Sequence, residues 1–325
     1  MINAVNLYKG KTVAVIGANG YIGSSLIEAL SRHSEKVIRV CRSRLDPKPG
    51  MIDLQADITD PDCWQKIVHQ ANIIFYLAGN SSVYASASDP SESLKSTLLP
   101  INHLIAAAQQ SDNCPRVVLA STATIYGLTK DLPVAETNLA NPITIYDLHK
   151  YFAEQQLALA SCHGIINSIS LRLANVYGPS PSVSSAKDRG VLNRVSKIAL
   201  SGQDLHVYGD GNYVRDYIYI DDVIEAFLLS GAYDSNAGQV FNVASGIGHT
   251  LKEAFELVAV SAVELTGNRV KVSCFPWPDK TDPIEHRDFI GNIDAMYAAF
   301  KWCPEVSLSL GVRKMTNCFH VSVKS

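Results

Sequence analysis

No two cysteines of this 325-residue chain stand three apart, and the seven present (41, 63, 114, 162, 274, 303 and 318) are scattered and odd in number. That favours reduced thiols in a cytoplasmic setting over a disulfide framework. The nine histidines show no ligand spacing with one another or with cysteine, so no metal site is expected. Long basic runs are also missing: the densest is CRSR at 41–44, and the net charge is −3. Nucleic acid and anionic membrane are thereby excluded as partners. No segment approaches the ~20 apolar residues of a membrane span, and MINAVNLYKGK carries no signal-peptide run. What is present is a chain 47% hydrophobic and 18% charged, long enough for one large or two medium domains with a sizeable core.

Strand and helix patterns alternate through the first half. TVAVIG (12–17), VIRVC (37–41), MIDLQAD (51–57), NIIFYLAG (72–79), RVVLAST (116–122) and IINSISLRL (165–173) are short apolar or β-branched runs. Helical spacing falls between them at 21–33, 61–70, 91–110 and 143–162. Continuous apolar strands alternating with helices predict a parallel sheet covered on both faces, the doubly wound α/β architecture. The one composition break is GPSPSVSSAKDRG at 178–190. Beyond it the pattern predicts helices at 190–201, 221–231, 250–266 and 293–300, with strands at LHVYG, DYIYI, QVFNV and VKVSCF.

The first strand runs into GANGYIG, which places Gly17, Gly20 and Gly23 between a strand and a helix. In that position glycines let the backbone turn tightly and approach a pyrophosphate, and the helix N-terminus offers it free N–H groups. The expected ligand is a nicotinamide dinucleotide. Its ribose is read at the end of the second strand, where VIRVCRSR supplies Arg42 and Arg44 and no acid before Asp46. Guanidinium suits a 2′-phosphate, so NADP is favoured and NAD stays open. Asp57, after the third strand, either reaches the adenine amino group or caps the helix that starts near Pro61. These readings divide the chain into a Rossmann domain at 1–177, with a returning segment near 212–245, and a smaller mixed α/β substrate domain at 178–325.

Three Tyr-x-x-x-Lys pairs occur: Tyr126 with Lys130, Tyr146 with Lys150, and Tyr297 with Lys301. On a helix such a pair shares one face. A phenol beside an ammonium is a candidate acid–base couple, because the cation lowers a pKa that otherwise lies near 10. Spacing alone does not choose among the three.

The order of motifs does. GANGYIG (17–23), ADI (56–58), LAG (77–79), STATIYG (121–127), YDLHK (146–150), LRLANVYGP (171–179), VYGDGNYVRDYIYIDDV (207–223), FNVASG (241–246) and HRDF (286–289) together resemble the extended short-chain dehydrogenase/reductase family, in its nucleotide-sugar epimerase, dehydratase and reductase branch. The resemblance runs from Gly17 to about Pro304. It implies that Tyr146 is the acid/base, Lys150 its partner and Thr122 the hydroxyl at the reacting oxygen. The implied dinucleotide contacts are Gly17, Asn19, Gly20, Tyr21, Ile22, Gly23, Arg42, Arg44, Asp57, Ile58, Leu77, Ala78 and Gly79, with Tyr146 and Lys150. The implied substrate contacts are Asn80, Ser81, Ser82, Thr122, Asn175, Arg215 and Arg287, with the strand Leu205–Tyr208 laid along the base. Lys130 is expected in a loop, Tyr297 in the core with Met296 and Phe300, and Asp221 and Asp222 as helix caps.

Dehydratases of this branch carry an acidic pair where Ala123 and Thr124 stand here, so elimination is not expected. What remains is chemistry at C4 of a nucleotide-diphosphate sugar. The expectation is NADPH-dependent reduction of a 4-keto-6-deoxyhexose; the alternatives are a 4-epimerase and a non-catalytic NADP-sensing module. The resemblance also implies a homodimer paired through the helix of Tyr146.

Overall fold

The computed structural model describes residues 7–324 apart from 33, 35, 80, 81, 182, 183 and 185–189. In chain order the elements are β1 (Thr12–Ile16), α1 (Tyr21–Leu30), β2 (Lys36–Cys41), β3 (Met51–Gln55), α2 (Pro61–Gln70), β4 (Ile73–Tyr76), α3 (Val83–Ser88), α4 (Pro90–Thr97), α5 (Leu99–Gln109), β5 (Arg116–Thr122), α6 (Ile145–Cys162), β6 (Asn167–Leu173), β7 (Asn175–Tyr177), α7 (Val191–Leu200), β8 (Leu205–Tyr208), β9 (Val214–Tyr219), α8 (Ile220–Ala232), β10 (Gln239–Val243), β11 (Gly248–Thr250), α9 (Leu251–Thr266), β12 (Val272–Phe275), α10 (Asp294–Phe300) and α11 (Leu308–Lys324).

Among the described residues seven strands form one parallel sheet in the order β10-β6-β5-β4-β1-β2-β3. Buried on both faces, β1, β4 and β5 need no polar alternation and have none. The strand order reverses between β1 and β4, which opens a crevice at their C-terminal ends. Trp64 of α2 stacks on Tyr76 of β4, ring centres 5.8 Å apart, both fully buried. Burial of one such ring stabilises the fold by roughly 2–3 kcal/mol.

The second half forms smaller units. β7 pairs in parallel with β9, and β9 pairs antiparallel with β11. β8 and β12 make a separate parallel pair. Among the described residues, β10 is the one strand after β6 that joins the large sheet, and α8 packs on α1, β4 and β5.

A buried polar network ties the strand end that bears Thr122 to the helix that bears Tyr146. Glu154 of α6 takes a 2.7 Å ion pair from Arg172 of β6 and a 2.5 Å bond from Ser121 Oγ of β5. The Arg172 guanidinium lies 4.8 Å from the centre of the Tyr126 ring, whose hydroxyl donates to Asn242 Oδ1 at 2.8 Å. Removing one member of a buried pair strands the other charge and costs about 3–5 kcal/mol.

Several local expectations change. The span 91–110 is two helices, with Pro100 in the first turn of α5, where its missing N–H costs nothing. Asp60, not Asp57, caps α2, accepting from Asp62 N at 3.0 Å. Asp221 and Asp222 lie inside the first turn of α8 and do not cap it; the Asp222 carboxylate binds the N–H groups of Glu305 and Val306 instead. Tyr297 is 52% exposed, while its helix buries Met296 and Phe300.

Candidate active site

The turn after β1 is built as the glycines predict. Gly17 has φ +86°, and a Cβ there would lie 3.0 Å from Ala78 N. A Cβ on Gly23 would lie 2.2 Å from Gly17 O, so only glycine lets α1 start this close to the strand. Above this turn runs a groove of about 750 Å³. Gly17, Asn19, Gly20, Tyr21, Ile22 and Gly23 line it from the first turn, Arg42 from beyond β2, Asp57 and Ile58 from beyond β3, and Leu77, Ala78 and Gly79 from beyond β4. Arg44 is exposed and stands outside that lining. Groove size and glycine cradle both fit a dinucleotide, with the N-terminus of α1 facing its pyrophosphate.

Sequence reasoning missed part of the lining. Ser43, Thr59, Glu92, Lys95 and Ser96 also face the groove. α4 supplies three of these, and its polar pattern resembles any solvated helix. Asp57 is locked in place by bonds from Thr59 N and Thr59 Oγ1, each 2.9 Å. Those bonds, and then the charges of Arg42 and Lys95, hold its carboxyl below the ordinary range.

Beside Gly79, at the edge of the groove, stand the residues of YDLHK. Tyr146 lies in the first turn of α6, half-buried, and Lys150 follows one turn later, buried. Lys150 Nζ donates to Ala120 O at 3.0 Å, and a Cβ on Gly79 would lie 3.7 Å from that nitrogen. The ammonium therefore sits between the groove and the end of β5. Burial lowers its pKa to about 8, against the opposing pull of Glu154. Thr122 closes β5, and its Oγ1 accepts from Thr124 N at 3.2 Å and lies 2.7 Å from Thr124 Oγ1. Asp147, fully buried beside Tyr146, accepts from Thr124 and from Thr144. Burial raises its carboxyl, while those two hydroxyls and the charge of Arg287 draw it down.

The substrate positions are brought together on the β7–β9 face. Asn175 stands in register with Tyr217, and Arg215 lies two residues before Tyr217 on the same side. Arg215 donates to the carbonyls of Val214, Arg287 and Glu285, so it clasps the segment that carries Arg287. Burial and then the charge of Arg287 lower its pKa to about 10. Arg287 donates to Ile284 O at 2.9 Å and reaches Asn175 Oδ1 at 3.4 Å. Among the described residues neither arginine forms an ion pair with a carboxylate. Next to them a cavity of about 200 Å³ is lined by Asn175, Tyr177, Gly190, Leu192 and Tyr217 among others. Ser82 caps α3 by accepting from Ala85 N at 3.2 Å. Asn80 and Ser81 lie outside the described residues. No group of three or more metal-ligating side chains occurs among the described residues.

The other two tyrosines have structural work. Tyr126 is buried in the Arg172 network, and Lys130 lies in an exposed loop. Lys301 folds over the exposed Tyr297 ring at 5.1 Å.

Solved structures and curated relatives share this fold. A UDP-glucose 4-epimerase of Lactobacillus helveticus is 29% identical over 324 aligned residues, covering 89% of this chain and 96% of that one. The crystal structure of the Thermotoga maritima UDP-glucose 4-epimerase with UDP-glucose superposes with a TM-score of 0.84 at 28% identity, over 96% of this chain and 99% of that chain. The Thermus thermophilus UDP-glucose 4-epimerase complexed with NAD superposes with a TM-score of 0.80 at 26% identity, over 95% and 98%. The model of the NAD dependent epimerase/dehydratase family matches residues 13–244, and the chain belongs to that family.

Proposed function

We propose that this enzyme is a 4-epimerase of nucleotide-diphosphate sugars, with UDP-hexoses as the substrate class. The observation that carries the reading is the buried Lys150 ammonium, held between Gly79 of the groove and Ala120 of β5, on the helix that bears Tyr146. The full-length likeness to UDP-glucose 4-epimerases supports epimerisation over the reduction expected from sequence. Elimination has no support, because Ala123 and Thr124 carry no carboxyl and both Asp147 oxygens are already engaged.

A bound nicotinamide dinucleotide supplies the acceptor and then the donor of the C4 hydride. Tyr146 takes the proton of the C4 hydroxyl, and the Lys150 ammonium beside it favours the phenolate needed for that step. Arg287, steadied by Arg215, holds the diphosphate by charge-assisted bonds while the keto sugar turns over. Tyr146 then returns the proton to the oxygen on the other face. A general acid–base of this kind accelerates the step about 10²–10⁴-fold.

Arg42 lines the groove near Asp57, and a guanidinium there supports NADP as well as NAD. That same feature favours a second reading, an NADPH-consuming 4-ketoreductase. Pairing of two copies through α6 belongs to the proposal, since that helix leaves Phe152 and Leu159 exposed. The deciding experiment incubates the purified protein with UDP-glucose or its N-acetyl form and follows the sugars by proton NMR. Interconversion of C4 epimers without net loss of cofactor supports the epimerase. Stoichiometric loss of NADPH with a 4-keto nucleotide sugar, and no epimerisation, replaces it with the reductase.

A further inference from the structure

The cavity beside Asn175 holds a buried donor that none of the steps above uses. Tyr217 lines it from β9 and is 2% exposed, and among the described residues its hydroxyl has no hydrogen-bond partner. Leaving a buried hydroxyl unpaired costs free energy, and folded proteins seldom do it. The side chains around it are engaged elsewhere. Asn175, opposite Tyr217 in the strand register, gives its Nδ2 to Asp216 O at 3.0 Å and meets Arg287 through Oδ1. Tyr177, whose ring meets the Tyr217 ring edge-on at 6.4 Å, turns its own hydroxyl to the carbonyls of Ser307 and Leu308. Arg215 and Arg287 are donors only and offer the phenol no acceptor.

The surroundings favour an anion as the missing acceptor. Burial raises the Tyr217 pKa to about 12, while the charges of Arg215 and then Arg287 draw it down. At neutral pH the phenol therefore keeps a proton to donate, in a place where two guanidinium charges are felt. Gly190, Val191 and Leu192 line the same cavity, where α7 starts without a side-chain cap and turns its positive dipole end outward.

We infer that Tyr217 is a further substrate-binding residue, whose hydroxyl donates to a phosphoryl oxygen of the nucleotide diphosphate, beside Arg287. The inference rests on the nucleotide-sugar reading and deepens it. The two arginines supply charge; the phenol adds a directed bond to a charged acceptor without burying a third cation. Tyr217 takes no part in the proton exchange at C4, which belongs to Tyr146.

Three rival accounts make the hydroxyl indifferent to the diphosphate: an ordered water in the cavity accepts its proton, the ring merely packs on Tyr177, or a sugar hydroxyl is its partner. Calorimetric titration of the NAD-loaded protein with UDP, joined to thermal unfolding of the ligand-free protein, separates them. Tyr217→Phe keeps the ring and removes the donor. It is expected to bind UDP about 10-fold more weakly than the wild type, and UDP-glucose more weakly by the same factor. Its ligand-free Tm is expected to equal or exceed the wild-type value, since the lost hydroxyl had no partner. Tyr76→Phe is the control. Tyr76 is also buried with an unpartnered hydroxyl, but it stacks on Trp64 and lines neither the groove nor this cavity. Its UDP affinity is expected to match the wild type. Equal UDP affinity in Tyr217→Phe and the wild type overturns the inference and leaves the nucleotide-sugar reading standing. A loss confined to UDP-glucose overturns it too, by assigning the hydroxyl to the sugar. So does a fall in the ligand-free Tm of Tyr217→Phe, or an equal loss of affinity in Tyr76→Phe. dTDP and GDP are titrated in parallel, and the diphosphate that binds the wild type most tightly carries the comparison. If none of the three binds the wild type, the nucleotide-sugar reading itself fails and the inference falls with it.

Discussion

Tyr146–Lys150 and Tyr297–Lys301 share a spacing and a tyrosine on a helix. The first lies where β5 and α6 meet, with Lys150 buried and its nitrogen 3.0 Å from Ala120 O. The second lies at the end of α10, with Lys301 exposed and resting on the ring of an exposed Tyr297. Water solvates one ammonium and is kept from the other. An exposed pair of this sort contributes about 0.5–1 kcal/mol to the surface. A buried ammonium is costly in an empty site and strongly attracted to a neighbouring phenolate. The chemistry proposed for the first pair therefore follows from where the sheet puts the lysine, at the C-terminal rim beside Gly79, and the four-residue spacing is only its precondition.

The largest expected effect tests that contrast head-on. Lys150→Met should lower turnover by about 10³-fold, and Lys301→Met should leave it unchanged, as steady-state kinetics on one nucleotide sugar would reveal. Equal losses in both variants would erase the distinction. Stability gives the next largest effect. The Lys150 amine titrates near 8 in the fold and near 10.5 when unfolded. Between those values the unfolded chain binds more protons, so stability of the ligand-free protein should rise with pH across that window, by up to about 3 kcal/mol. Urea unfolding at pH 7 and pH 10 should show the rise in wild type and in Lys301→Met, and should show it missing in Lys150→Met. The smallest effect sharpens the comparison at the far end of the groove. Arg42, which lines the groove, should matter to the cofactor where the exposed Arg44 does not. Arg42→Ala should weaken NADP about 10-fold and NAD hardly at all, with Arg44→Ala near wild type in a fluorescence titration.

Much of the first half was legible because its signals are local. Apolar runs such as TVAVI and IIFY can only be doubly covered strands, and GANGYIG follows one of them directly. Motif order also singled out Tyr146–Lys150 among the three Tyr-x-x-x-Lys pairs, though not the closeness of Lys150 to Gly79. What stayed hidden depends on residues distant in sequence. Thr144-x-x-Asp147 reads as a helix start, yet nothing local says that the Asp147 carboxylate meets Thr124, which lies 23 residues earlier. Asp222 resembles a helix cap until the chain returns at Glu305 and Val306 to claim it. Arg215 reads as a ligand arginine, and only the folded segment around Arg287 shows its guanidinium bonded to backbone carbonyls. Lys95 gave no signal, because a lysine on a polar helix looks solvated until the groove beside it is seen.

The account stands most directly on Tyr146. The decisive measurement is turnover and cofactor affinity of Tyr146→Phe, side by side with the wild type. Turnover should fall by at least about 10³-fold, while the dissociation constant for the dinucleotide stays within about 2-fold. A Tyr146→Phe protein that epimerises at the wild-type rate would contradict it.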